Sequence, residues 1–168
     1  MPATQPFTDA LIQDSIAKAV QNVSRTLLRQ DAPLVDRLDV AEYEASPLCF
    51  QVIGNVGFAG ETNGIVYLCM SDDFARFAVG TVLGLSAAEV DFHGPEVMKD
   101  AIGEITNMTV GGFKNALCDL GFPCKLTLPT IVQGRNLTVA ALKGTTRHLF
   151  RFTCATHVLV ADIQIKSE

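Results

Sequence analysis

From Pro95 to about Leu120 the chain keeps a single helical period, and this segment limits the possible folds more than any other. Gly94-Pro95 suits a helix start, since proline lacks only an amide that the first turn leaves unused. Gly121 and Pro123 end it. At ~100° per residue, Met98, Ala101, Ile102, Ile105, Met108, Thr109, Gly112, Phe113 and Ala116 fall in one broad sector. A helix with so wide an apolar face must lie against another layer.

The neighbouring segments supply that layer. Apolar residues recur at Leu11, Ile12, Ile16, Val20, Val23, Leu27 and Leu28, which predicts a first long helix from Phe7 until Pro33 forbids continuation. Residues 48–70 read as two strands around a turn at Gly60 and Asn63-Gly64. Ser71 with Asp72 and Asp73 opens a further helix that stops near Gly84. Residues 85–94 read as a connector with at most a short helical turn. Beyond Pro123 the expected strands are Lys125 to Leu128, Leu137 to Leu142, Leu149 to Thr153 and Val158 to Ile165. The connectors between them are "QGRN", "KGTT" and "CATH". Grouped rather than alternating elements imply an α+β fold: a mostly antiparallel sheet with two long helices packed on one face. Residues 1–6 read as a flexible tail and residues 7–168 as one domain, which suits a chain of 168 residues.

Composition removes several function classes. Net charge is −5 and no Lys/Arg run exists, against a nucleic-acid surface. There is no Trp and little Tyr to stack bases or sugars. Charged residues are 18%, hydrophobic residues 48%, and mean hydropathy is +0.27, so some apolar surface is expected to be hidden in an oligomer. The N-terminus lacks the basic start and apolar block of a signal peptide, and no apolar run approaches a membrane span. Five cysteines, odd in number and without a CxxC pair, fit a reducing cytoplasm.

The polar side of the second long helix carries the candidate site. Asp100, Glu104, Asn107 and Gly111 share a narrow sector away from the core face. The ordinary reading of such a stripe is a solvated surface. Two features depart from it: Asn competes for backbone hydrogen bonds inside helices, and Gly111 and Gly112 each cost about 1 kcal/mol relative to Ala. "SIAKAVQNV" (residues 15–23) also aligns without a gap on "DAIGEITNM" (residues 100–108). That alignment pairs Ser15 with Asp100, Ala19 with Glu104 and Asn22 with Asn107. Helical periodicity alone would produce part of the match. Elsewhere, Cys154 and His157 are three apart, which in an extended strand sets them on opposite faces and argues against a metal pair. His93 and His148 have no evident partner residues. The Asn-x-Ser/Thr triplets at Asn22, Asn107 and Asn136 mean nothing without secretion. No Gly-rich phosphate loop or GxSxG elbow is present.

The pattern D-x-x-x-E-x-x-N at Asp100, Glu104 and Asn107 resembles the signature of the CheC/CheX/FliY phosphatases of bacterial chemotaxis. "LCMSDDFARFAVGTVLG" is similar to the strand and short helix of CheX-type members. "LPTIVQGRN", with Pro129, is similar to the entry to their last strands. The resemblance extends over most of the chain from Phe7. It implies a hydrolase acting on the phosphoaspartate of a CheY-like response-regulator receiver domain, in chemotaxis or a related two-component pathway. Asn107 would orient the attacking water, and Glu104 would pair with the receiver's active-site lysine. Asp100 would support docking or orient Glu104, and Gly111 would admit the receiver's loops. The resemblance implies no cofactor or metal of the chain's own, Mg²⁺ held by the receiver, and a homodimer formed through the sheet. With Ala19 at the other position, it implies one site per chain, Asn22 being a remnant. The rival reading is a non-catalytic module of the same fold that docks on a receiver or motor component; a third is a structural dimer in a signalling array.

Overall fold

In the computed structural model, which describes residues 7–167, the seven strands form a single sheet. The first long helix, α1 (Asp9–Val23), is capped by Thr8 and runs on into a π-helical turn (Ser24–Leu28). There follow β1 (Leu34–Leu38), a short α2 (Val40–Ala45), and the hairpin of β2 (Phe50–Gly60) and β3 (Gly64–Met70). The turn forms where Gly60 and Asn63 predict it, with the Asn63 side-chain oxygen accepting the Gly60 amide at 3.0 Å. Ser71 caps α3 (Asp72–Leu83), and Gly84, at φ 68°, ends it. α4 (Ala87–His93) leads through Gly94 into α5 (Pro95–Asp119). The chain closes with β4 (Cys124–Leu126), β5 (Thr130–Leu137), β6 (Thr145–Cys154) and β7 (His157–Lys166). Residues 1–6, read above as a tail, lie outside the described residues.

The fold is α+β, and all strand pairs are antiparallel. The sheet order is β1-β6-β7-β3-β2, with β4 and β5 sharing the outer edge of β2. Period-two alternation sends Val52, Val56, Phe58, Val66, Leu68, Met70, Phe150 and Phe152 to the face that carries α1, α3 and α5. Tyr43 of α2 joins Phe50, Ile53, Cys69, Leu149 and Val160 in a smaller cluster on the opposite face. The long helices therefore share one face, as expected, while the short α2 covers part of the other.

Two expectations fail for identifiable reasons. "QGRN", read as a connector, is the second half of β5, and Leu137 to Leu142 is no strand. β5 is an edge strand whose side chains are mostly exposed, so it carries no alternation to read. The backbone after it is held by side chains instead of a ladder. Arg147 Nη2 donates to the Val139 carbonyl (2.8 Å) and Gln164 Nε2 to that of Ala140 (3.1 Å), while Gln164 Oε1 accepts the Leu142 amide (2.7 Å). β1 and α2 also went unread, being short.

A two-fold likeness runs through this topology. Exchanging β1 with β5, β2 with β6 and β3 with β7 reverses the strand order and leaves it unchanged. The helices obey the same exchange, but one residue off the alignment of letters. Asp9 and Pro95 are the first helical residues, and Ile12, Ser15, Ile16, Ala19, Val20 and Val23 are buried where Met98, Ala101, Ile102, Ile105, Thr106 and Thr109 are buried. The counterparts of Asp100, Glu104 and Asn107 are thus Asp14, Lys18 and Gln21. Ser15, Ala19 and Asn22 are not. Ala19 is buried at 4% exposure, against Gly112, where no long side chain would fit.

Candidate active site

The polar stripe of α5 depends on how closely the helix lies on the sheet. A side chain at Gly54 of β2 would collide with the Thr106 hydroxyl, so the missing Cβ lets α5 settle onto β2. Thr106 and Thr109 turn their hydroxyls back to the carbonyls of Ile102 (2.7 Å) and Ile105 (2.8 Å), which satisfies them within the helix. Gly103, also without a side chain, faces Ile131 of β5. A cleft of roughly 610 Å³ remains between the N-terminal half of α5 and the start of β5. Its walls are Lys99, Asp100, Gly103, Glu104, Asn107, Pro129, Thr130 and Ile131.

The structure therefore brings together Asp100, Glu104 and Asn107, and sets Pro129 opposite them. Asp100 and Glu104 are exposed and Asn107 is half-buried. Among the described residues neither carboxylate enters an ion pair. A carboxylate and an amide that stand open to solvent can engage an approaching molecule without first breaking internal contacts. Gly111 is a turn beyond the cleft, and a Cβ there would meet nothing within 4 Å. Gly112 faces the other way, toward Ala19. Sequence reasoning missed Lys99, Gly103, Thr130 and Ile131. Gly103 was findable, as a glycine one turn before Asn107 on its side of the helix. Thr130 and Ile131 required knowing where the edge strand β5 lies.

The remaining candidates are placed as follows. Ala155 and Thr156, at φ 47° and 69°, make a two-residue hairpin turn that pairs Cys154 directly with His157. The two side chains share a face, contrary to the extended-chain expectation. Cys154 is buried, and the His157 ring lies against Phe74 and Phe77, with centroids 5.7 and 6.0 Å away. Among the described residues, no group of three or more His, Cys, Asp or Glu stands together. His93 is exposed. His148 is a strand position but does have partners: Arg37 Nη2 lies 3.0 Å from its Nδ1, and an Asp9 carboxylate oxygen 3.7 Å away. Burial and the Arg37 charge hold its pKa below the ordinary value, against the pull of Asp9.

Residues 52–153 match the family model described as chemotaxis phosphatase CheX, a span that takes in all of α5 and Pro129. The chain belongs to the CheX family. A relative from Thermotoga maritima, described as CheY-P phosphatase CheX, is 28% identical over 131 residues, covering 78% of this chain and 81% of the relative. The crystal structure of a CheX chemotaxis protein from Desulfovibrio desulfuricans superposes with a TM-score of 0.79 at 20% identity, covering 92% of this chain and 99% of that one. CheX in the CheX-CheY-BeF₃-Mg²⁺ complex from Borrelia burgdorferi superposes at 0.71, with 19% identity and 93% and 98% coverage. At these identities the superpositions establish a shared fold. Among the described residues, no helix is long and apolar enough to cross a membrane.

Proposed function

We propose that this CheX-family chain hydrolyses the phosphoaspartate of a CheY-like receiver domain. The observation that carries the proposal is Glu104 and Asn107 standing together on the open wall of one cleft. The Thermotoga relative's description and the Borrelia complex with CheY support it. In the reaction, water oxygen attacks phosphorus while the bond from phosphorus to the aspartyl oxygen breaks. The electron pair leaves with the carboxylate, and inorganic phosphate departs. Such a reaction asks mainly for positioning and charge stabilisation. The Asn107 amide offers an acceptor for a water hydrogen and a donor beside it, which suits it to aim that water. Glu104, three residues earlier, pairs with the receiver's lysine. Asp100, one turn before Glu104, adds negative potential that draws the same lysine. Gly111, open on its outer side, leaves room for the receiver's loops. The receiver brings the Mg²⁺ that neutralises the phosphoryl oxygens.

Receivers act in the cytoplasm, and we place this chain there. The dimer reading is supported by apolar side chains on the sheet side away from the long helices. Leu128 is 88% exposed and Val132 and Leu142 are each 44% exposed. Leu128→Asp should leave a monomer in sedimentation if the sheet is the interface; a dimer that survives would remove that reading. The decisive test of function is the lifetime of a phosphorylated receiver from the same genome. The chain should shorten it, and Asn107→Ala should restore the unaided lifetime. Unchanged decay alongside measurable binding would make the chain a docking module.

A further inference from the structure

At the N-terminal end of α5 the cleft meets a corner. The Gln133 side chain of β5 reaches across to the Pro95 carbonyl, at 3.5 Å. Here Gly94, at φ 77°, turns the chain from α4 into α5. Three residues before Pro95 stands Phe92, which is 87% exposed. Leu128, given above to the sheet interface, is the one other large apolar side chain so exposed among the described residues; the rest stand at 50% or below. The Phe92 ring meets the His93 ring edge-on at 5.7 Å.

α4 holds this ring with more than its own packing. Of its residues Val90 alone is buried, and so short a helix is marginal without fastening. It is fastened twice. Ser86 and Glu89 form a reciprocal capping box, and Arg76 Nη2 of α3 holds Asp91 Oδ2, beside Phe92, at 2.6 Å. A ring fixed in water on a rigid support has the form of a binding anchor, because its backbone freedom is lost before a partner arrives.

We propose that the α4–α5 corner is a second contact patch for the receiver, with Phe92 as its apolar anchor and Lys99 reading a receiver carboxylate beside it. The inference rests on the catalytic reading above. From Pro95 to Asp100 the helix rises about 7.5 Å, and Phe92 is at most about 10 Å further. An interface of ordinary size, about 800 Å² a side, is about 30 Å across. A receiver seated on Glu104 and Asn107 therefore has the breadth to cover the corner. Lys99 lies on the cleft wall, is exposed, and among the described residues enters no ion pair. Long side chains on a helix lean toward its N-terminus, which carries this ammonium toward the corner and away from Asn107. Lys99 thus serves docking and not hydrolysis. The face offers carboxylates at Asp100 and Glu104 and a cation nearer Phe92. A matching receiver presents a lysine and, toward the anchor, a carboxylate next to an apolar side chain. Such a pattern fixes orientation and rejects receivers without that carboxylate.

The test uses the full chain and a receiver from the same genome. Binding of the receiver charged with beryllofluoride and Mg²⁺ is read by calorimetry, and kcat is read on the phosphorylated receiver. Phe92→Ala should weaken binding about thirtyfold and leave kcat unchanged, while Phe92→Leu loses only part of that affinity. Lys99→Met should weaken binding about fivefold at low salt, a difference that shrinks as salt is added. Both side chains are exposed, so melting curves should stay native. Native affinity in Phe92→Ala would overturn the anchor, and native affinity in Lys99→Met at low salt would overturn the role of the cation. A fall in kcat without loss of affinity would make the corner a support for α5 and no contact patch. A dimer that dissociates in Phe92→Ala while receiver binding stays native would give the ring to a second copy of this chain. A native chain that binds the charged receiver without dephosphorylating it would remove the catalytic reading alone, and the affinity of Phe92→Ala would still decide this one. A native chain that binds no receiver would sink both.

Discussion

α1 and α5 are buried in the same rhythm and differ on their outer faces. Toward the core, both alternate the same pattern of apolar and small residues, because both must cover the same sheet from related directions. Toward solvent, α5 presents a half-buried Asn107 beside Asp100 and Glu104, which among the described residues have no ion-pairing partner, while α1 presents Asp14, Lys18 and a Gln21 tied to Asp31 and Ala32. Packing constrains the inner face alone. The outer face is left to function, and there the two copies have diverged.

The largest effect should come from the core, where the copies are unequal. Phe113 is fully buried and meets Phe58 edge-on at 5.9 Å; past the π-helical turn, which inserts one residue, its counterpart is the smaller Leu28, also buried. Phe113→Ala should cost about 3–5 kcal/mol in denaturant unfolding, and Leu28→Ala less, having fewer buried atoms to lose. Equal costs would mean that the helices bear on the sheet alike. Next, Asn107→Ala should slow catalysed receiver dephosphorylation by about a hundredfold, while Gln21→Ala leaves that rate unchanged and lowers stability by about 1 kcal/mol through the lost Ala32 contact. A rate loss in Gln21→Ala would place catalysis on both helices. Smaller still, Gly111→Ala should stabilise the chain by up to about 1 kcal/mol, because the added methyl meets nothing. It should also weaken receiver binding if the receiver's loops pass there. Gly112→Ala should gain less, since its methyl would stand 3.2 Å from that of Ala19. The smallest effect is one of pH. His148 binds a proton less readily when folded, so stability should fall as pH drops below the ordinary histidine value of 6.5, until the folded group also titrates. His148→Asn should flatten that slope in pH-dependent melts.

Much of this was legible in the letters. α5 was readable from Pro95 to its end because periodicity, a starting Pro and a stopping Gly are all local signals. The polar stripe was legible because three side chains at helical spacing share a face whatever the helix packs against. β5 was not legible: an exposed edge strand shows no alternation, and its "QGRN" has the composition of a turn. The turn between Cys154 and His157 was obscure for the opposite reason, since Ala155 and Thr156 take positive φ without the Gly or Asn that usually marks it.

By itself, then, the sequence determined the class of fold, the two long helices and the shared face of Asp100, Glu104 and Asn107. Only the tertiary structure decided what stands across from that face, and that Lys18 and Gln21, in place of Ala19 and Asn22, are its counterparts. The reason is physical. Spacing along a helix is set by its own backbone, but which residue is buried is set by the layer it meets, and in this chain that layer comes from strands far away in sequence.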